Sequence, residues 1–80
     1  MSDPAITPQE IGERPINLTQ VLKLAGCVLS GGEAKQLIAE GRVRVNGTVE
    51  TRKRRQMAVG DVIEVEEGPR IRLTGSIETS

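Results

Sequence analysis

The chain contains no histidine, no aromatic residue and only one cysteine among its 80 residues. Without histidine it lacks the usual general base of enzymes and the most common ligand of transition metals. The single cysteine, Cys27, excludes an internal disulfide and argues against a cysteine-based metal site. The core has to be built from Val, Leu, Ile, Ala and Met, which predicts modest stability. These absences predict a protein that is not an enzyme and that holds no metal and no cofactor.

The chain also lacks a long apolar run. No stretch approaches the ~20 residues that a membrane-spanning helix requires. Residues 1–14 carry Asp3, Glu10 and Glu13 against Arg14 alone, and they include no apolar segment of the kind found in secretory signals. We therefore expect a cytoplasmic, single-domain monomer that makes no contact with a membrane.

The net charge is zero, but the charges are unevenly distributed. Residues 35–55 contain seven basic and two acidic side chains, which gives a local charge of +5. Residues 1–14 have a charge of −2, residues 15–34 are neutral, and residues 56–80 have a charge of −3. This pattern predicts one surface that attracts polyanions, while the acidic remainder discourages such contacts elsewhere.

The first part of the chain has no apolar periodicity. It is interrupted by three prolines and a glycine, at Pro4, Pro8, Gly12 and Pro15. We predict a flexible N-terminal tail over residues 1–15 and a frayed, polar C-terminus over residues 74–80. The folded domain is predicted to occupy residues 16–73.

A first helix is predicted from apolar spacing. Its apolar residues recur at i, i+3, i+4 and i+7, and they are Leu18, Val21, Leu22 and Ala25. Asn17 can cap the start of this helix, and Gly26 can end it in a left-handed turn.

A second helix is predicted to begin at Ser30. The sequence Ser30-Gly31-Gly32-Glu33 fits a capping box, in which Ser30 and Glu33 each accept from the other's free backbone N–H. Gly41 can end this helix. Its buried stripe is predicted to be Ala34, Leu37 and Ile38.

The spacing changes to two after Gly41. Val43-Arg44-Val45 reads as a half-buried strand, and Asn46-Gly47 is a strong hairpin signal. A two-residue turn would pair Val49 with Arg44, on the arginine face of the strand. A three-residue loop with a bulge would keep Val49 inside. We predict the bulged loop, because burying a valine is favourable.

Two further strands are predicted, at Val62 to Val65 and around Ile71 and Leu73. The segments Val59-Gly60-Asp61 and Glu67-Gly68-Pro69 are interpreted as turns, with Asp61 as a structural turn residue. Helices followed by short strands predict an α+β domain, with two helices packed on a small, bent, mostly antiparallel sheet.

Four segments together resemble a known family. They are Ser30 to Ala34, Leu37-Ile38, Gly41-Arg42-Val43-Arg44-Val45-Asn46-Gly47 and Gly60-Asp61-Val62-Ile63. They resemble the S4 RNA-binding domain, also called the αL type. The run from Val49 to Arg54 looks most like the small stand-alone bacterial S4-like RNA-binding proteins. The resemblance implies two helices beside a bent sheet and the binding of RNA without catalysis.

The resemblance also implies where RNA lies, along the start of the second helix, the first strand and the following loop. The residues that fall there by position are Lys35, Arg42, Arg52, Lys53, Arg54 and Arg55. One position departs from the family pattern, since S4 domains usually carry Arg directly after the serine that opens the second helix. Here that residue is Gly31, so a commonly used RNA contact is absent.

The chemistry of these residues favours the same surface. Arginine can bind a phosphate through two N–H groups, and a loop can direct consecutive cations toward one phosphate backbone. The alternative is a solvated charged loop. Arg44 adds to this surface if its strand face is open, and is otherwise simply solvated. The helix start at Ser30, Gly31 and Gly32 offers N–H groups to an anion, although the capping box competes for them.

We therefore expect an RNA-binding module that recognises the shape and phosphates of structured RNA. It cannot stack bases on aromatic rings, so its sequence specificity should be low. The RNA is expected to be ribosomal RNA, tRNA or a precursor of either. The alternative is an adaptor whose basic loop docks on an acidic, ribosome-associated or RNA-modifying protein. Cys27 is interpreted as a small buried core residue.

Overall fold

The structure is a computed structural model that describes residues 6–12 and 15–75. Two helices, α1 (Leu18–Leu24) and α2 (Gly31–Ala39), lie between the second and third strands in the chain order. The strands are β1 (Ile6–Glu10), β2 (Ile16–Asn17), β3 (Val43–Val45), β4 (Thr48–Val49), β5 (Gln56–Met57), β6 (Val62–Val65) and β7 (Arg70–Thr74). Five strands form one sheet in the order β1-β7-β6-β3-β4, and β2 pairs with β5. The predicted α+β class with a mostly antiparallel sheet is confirmed.

The helix boundaries follow from local capping. The Asn17 side chain accepts from the Gln20 N–H, and the Gln20 side chain accepts from the Asn17 N–H, both at 2.9 Å, which completes a capping box at α1. Gly26 follows α1 with φ +78°, and its N–H donates to the Lys23 carbonyl. Both predicted ends of α1 are therefore confirmed.

The cap of α2 differs in one bond from the prediction. Ser30 Oγ accepts from the Glu33 N–H at 3.2 Å, as expected. The Glu33 carboxylate, however, accepts from the N–H of Leu29 at 2.9 Å and not from that of Ser30. The reciprocal pair is thus displaced by one residue, to the N–H of the residue that precedes the cap. Gly41 ends the helix at φ +75°, as predicted.

The hairpin between β3 and β4 has a two-residue turn, so the predicted three-residue bulged loop is wrong. Arg44 pairs with Val49 and Val45 pairs with Thr48. Both turn residues have positive φ, which fits a type I′ turn whose twist matches that of the strands. Val49 is left 46% exposed, so the preference of Asn46-Gly47 for this turn outweighs the burial of one valine.

The first strand lies where the sequence predicts a flexible tail. Residues 6–10 pair in parallel with β7, and the Ile11 N–H donates to the Thr74 carbonyl at 3.0 Å. The pairing follows from the free edge of β7, and no local sequence pattern in β1 predicts it. An edge strand also tolerates Pro8, which lacks a backbone N–H. Residues 1–5 and 76–80, which fall in the predicted tail and frayed end, lie outside the described residues.

One core joins both helices to one face of the sheet. Its buried side chains are Leu18, Val21, Leu22, Val28, Ala34, Ile38, Val43, Val45, Met57, Ile63, Ile71 and Leu73. Arg44 and Glu64 alternate with these core residues along β3 and β6, so they lie on the opposite face, which we call the outer face. Within the described part of the chain, no helix has the length and apolar character needed to cross a membrane.

Two smaller predictions concern single residues. Cys27 is half-buried against the core, and burial raises the pKa of its thiol. Asp61 is a turn residue, as predicted, because its carboxylate accepts from the Ala58 N–H at 2.9 Å and from the Asn46 side chain at 3.0 Å. Asn46 in turn accepts from the Val62 N–H, so these two side chains join the hairpin turn to the start of β6.

Candidate nucleic-acid interface

A groove lies between α2 and the segment that links β4 to β5. Its lining consists of Lys35, Ile38, Ala39, Thr51, Arg52, Lys53 and Arg54. We call this feature the basic groove, and we call residues 51–55 the basic loop. The groove combines cations from the helix with cations from the loop, and its apolar lining comes from Ile38 and Ala39. The structure thus brings together four of the residues that the sequence predicts for RNA binding.

The backbone of the basic loop is bound to the start of α1. The N–H and the hydroxyl of Thr19 both donate to the Lys53 carbonyl, at 3.3 and 2.9 Å. The Leu18 N–H donates to the Arg55 carbonyl at 3.0 Å. These N–H groups belong to the first turn of α1, where no partner exists within the helix. The loop therefore satisfies the helix start, and the helix fixes the loop.

A buried carboxylate, Glu50, binds two of the predicted RNA contacts. One of its oxygens accepts from the backbone N–H and the Nε of Arg52, both at 2.9 Å. The other oxygen accepts from Arg52 Nη2 at 3.1 Å and from Arg55 Nη1 at 3.2 Å. The hydrogen bonds from Arg52 are the largest cause that lowers the pKa of Glu50 to about 2. Both arginines are therefore ion-paired to Glu50, although the Arg52 side chain is still 72% exposed and that of Arg55 is 28% exposed.

Three predicted cations at the groove remain available to a ligand. Lys35, Lys53 and Arg54 are exposed, and none of them forms an ion pair with any residue that the structure describes. Lys35 lies on α2, while Lys53 and Arg54 are the two central residues of the loop turn. A phosphate in the groove could contact cations from two elements.

Sequence reasoning missed Lys23. A Cβ placed on Gly31 would lie 3.9 Å from Lys23 Cδ and 3.9 Å from Thr19 Cγ2, so the lysine stem passes next to the start of α2. Lys23 is exposed, and it has no ion pair within residues 6–12 and 15–75. It falls outside the basic segment of the sequence. The available signal was its spacing of four from Thr19, which places both on one side of α1.

The start of α2 is less open to an anion than the sequence predicts. Ser30 Oγ and the Glu33 carboxylate are used in capping, and Glu33 adds a negative charge to the first turn. Gly31 is half-buried beside Lys23, and Gly32 is exposed. That Ser30, Gly31 and Gly32 contact RNA stays a prediction.

Arg42 and Arg44 lie away from the basic groove. They line a second depression together with Gly41 and residues 64–67, three of which are glutamates. Arg42 Nε lies 3.2 Å from Glu40 and 3.6 Å from Glu66. Arg44 is on the outer face of the sheet, with Val49 and Glu64 as its cross-strand neighbours. The single basic patch expected from the sequence is therefore divided between two sides of the molecule.

Among the described residues, no group of three or more acidic or cysteine side chains is placed so that it could hold a metal ion. The chain as a whole contains no histidine.

Comparisons with known proteins point to RNA. A family model described as the S4 domain matches residues 9–74. The "Putative RNA-binding protein YbcJ" of Escherichia coli (strain K12) is 46% identical over 54 residues, which cover 66% of this chain and 77% of that protein. The "Probable ribosome maturation protein RlbA" of Bacillus subtilis (strain 168) is 44% identical over 59 residues, or 74% of this chain and 83% of that protein.

A solved structure has the same fold. The solution structure of YbcJ from E. coli, described as containing an αL motif involved in RNA binding, matches with a TM-score of 0.65 and 39% sequence identity. The match covers 92% of this chain and 91% of that one.

Proposed function

This chain belongs to the S4 domain family, and from that premise we propose that it binds structured RNA, through phosphate contacts along the basic groove. The names of its relatives support the proposal, since one refers to RNA binding and another to ribosome maturation. The description of the similar solution structure also refers to RNA binding.

The observation that carries the proposal is the set of unpaired cations around the groove. Lys35 comes from α2 and Lys53 and Arg54 come from the loop, while Lys23, on α1, lies beside the start of α2. Phosphate oxygens are the ligands that such extended cationic side chains bind best. The paired cations, Arg52 and Arg55, hold the loop in place through Glu50.

The lack of aromatic residues favours structured RNA over single-stranded RNA as the ligand. Proteins that read single strands stack bases on aromatic rings, and this chain has none. Recognition would then depend on the phosphate geometry of a folded RNA, with low sequence specificity. The name of the B. subtilis relative favours ribosomal RNA or its precursor over tRNA. Such a role would be non-catalytic and cytoplasmic.

The alternative of an adaptor that docks on an acidic protein has less support. The names of the relatives refer to RNA binding and ribosome maturation and not to a protein partner.

A salt titration with an RNA hairpin tests the proposal. If Lys23, Lys35, Lys53 and Arg54 all meet phosphates, log K against log salt should have a slope of about −3 to −4, because counterions are released. The variant Lys53→Ala/Arg54→Ala should reduce the magnitude of that slope by about 2. It should also weaken binding by about tenfold or more, at on the order of 1 kcal/mol for each contact.

The matched control is Arg44→Ala/Arg72→Ala, which removes two exposed arginines from the outer face. It should change binding much less. A flat salt response of the wild-type protein would contradict RNA binding through phosphates. Equal losses in the two double variants would show that the groove is not the site.

A further inference from the structure

Glu50 is the only charged side chain that is buried among the described residues, with 8% of its surface exposed. It directly follows β4, and its backbone N–H donates to the Val43 carbonyl at 3.0 Å. The Glu50 backbone is therefore held to the inner strand β3, and the sheet fixes the point from which its side chain extends. A fixed charge beside the basic loop can determine how that loop is arranged.

The carboxylate uses all of its hydrogen-bonding capacity on the loop. It accepts three bonds from Arg52, one of which comes from the backbone N–H, and one from Arg55. The Arg55 N–H also donates to the Arg52 carbonyl at 3.1 Å, which closes the turn. The two outer residues of the turn are thus both held by Glu50, Arg55 largely covered and Arg52 with its side chain 72% exposed.

The two central residues of the turn face solvent. Lys53 and Arg54 are exposed and have no ion pair to any residue in the described part of the chain. The Lys53 carbonyl is bound by Thr19, so even the exposed part of the turn has a fixed backbone. Of the four consecutive cations, two are therefore ion-paired to Glu50, and two have no ion pair among the described residues.

We propose that Glu50 is a positioning residue that fixes how the loop cations are presented to an RNA, so that the protein selects structured RNA over single strands. The inference rests on the proposed function and deepens it. By binding Arg52 and Arg55, the carboxylate holds both side chains in one orientation and sets the spacing of Lys53 and Arg54 between them. Fixed cations match the fixed phosphates of a folded RNA, whereas mobile cations adapt equally well to a flexible strand.

The variant Glu50→Gln tests this directly, because the amide has nearly the same shape but no charge and only one accepting oxygen. The binding probes are an RNA hairpin and an oligouridylate strand of equal length. The ratio of their affinities should fall by about tenfold, since two side chains must then be ordered on binding. The salt slope for the oligouridylate should steepen by about 0.7 for each arginine that is released.

The matched control is Glu67→Gln. Glu67 is an exposed glutamate in the turn between β6 and β7, so this variant changes the net charge by the same amount. It should leave the hairpin-to-strand ratio unchanged. If Glu50→Gln and Glu67→Gln alter both affinities alike, Glu50 does not position the loop and the inference is wrong.

A second variant covers the case in which Glu50→Gln does not fold by circular dichroism. Arg52→Gln keeps the Glu50–Arg55 pair and removes two of the three bonds from position 52. It should lower the hairpin-to-strand ratio, and an unchanged ratio would overturn the inference. If the wild-type protein binds neither probe, the proposed function fails first. If the wild-type protein binds the hairpin but neither variant changes the hairpin-to-strand affinity ratio, only the inference fails.

Discussion

Replacing Thr19 with valine should loosen the basic loop from α1 and lower stability by about 1 kcal/mol. Valine keeps the branched shape of threonine but removes the hydroxyl that donates to the Lys53 carbonyl at 2.9 Å. The Thr19 N–H still donates to the same carbonyl at 3.3 Å, so the carbonyl keeps one partner. The expected loss is therefore the net value of one hydrogen bond, about 0.5–1.5 kcal/mol, and not the larger cost of an unsatisfied group.

Thermal unfolding followed by circular dichroism measures this change. For a domain of this size, 1 kcal/mol corresponds to a shift in Tm of about 4–8 °C. The matched control is Thr48→Val, which makes the same substitution at an exposed strand position whose side chain has no hydrogen bond to any described residue. A Tm for Thr19→Val that is no lower than that of Thr48→Val would refute the argument that this hydroxyl anchors the loop. The affinity for an RNA hairpin should fall with the Tm, because the loop presents Lys53 less rigidly.

Two further predictions concern the stability contributed by Cys27 and by Glu50. Cys27→Ala should lower the free energy of unfolding by about 1 kcal/mol, because it leaves a small cavity, and it should leave RNA binding unchanged. Chemical denaturation measures the first effect. Lost RNA binding with unchanged stability would contradict a packing role. The pKa of Glu50 is about 2 in the folded protein and 4.5 as its ordinary value, so its contribution to stability is fully present above pH 4.5 and is lost as the pH falls toward 2. Unfolding midpoints measured across that range should decline less steeply for Glu50→Gln than for the wild-type protein, and parallel declines would show that Glu50 is not the group responsible.

The sequence was sufficient for features that depend on neighbouring residues. The helix caps at Asn17 and Ser30, and the glycines that follow both helices, are local signals, and the structure confirms their positions. The class of fold and the groove cations Lys35, Lys53 and Arg54 also followed from spacing and from the resemblance to the S4 domain. These features require no knowledge of distant contacts.

The missed features depend on distant contacts. The strand β1 exists because β7 has a free edge, and nothing within residues 6–10 indicates that partner. The proposed role of Glu50 depends on its burial. The sequence shows one acid before four cations, but it does not show that this acid is buried. Lys23 lies near the start of α2 because α1 packs beside that helix. The hairpin is a different case, because the turn preference of Asn46-Gly47 is a local signal, and in the structure it outweighs the burial of Val49.

The parallel pairing of β1 with β7 has a consequence for the order of folding. It joins the first and last described strands, so closing it requires the ends of nearly the whole chain to meet, and the entropy cost of that closure is the largest in the fold. The β1 side chains are exposed or only half-buried, which gives the strand little apolar area to offset the cost. We therefore expect β1 to dock last and to open first, with the fastest amide hydrogen exchange of the main sheet. Each opening would uncover the backbone groups of β7, an unpaired edge to which an extended segment of another chain could add.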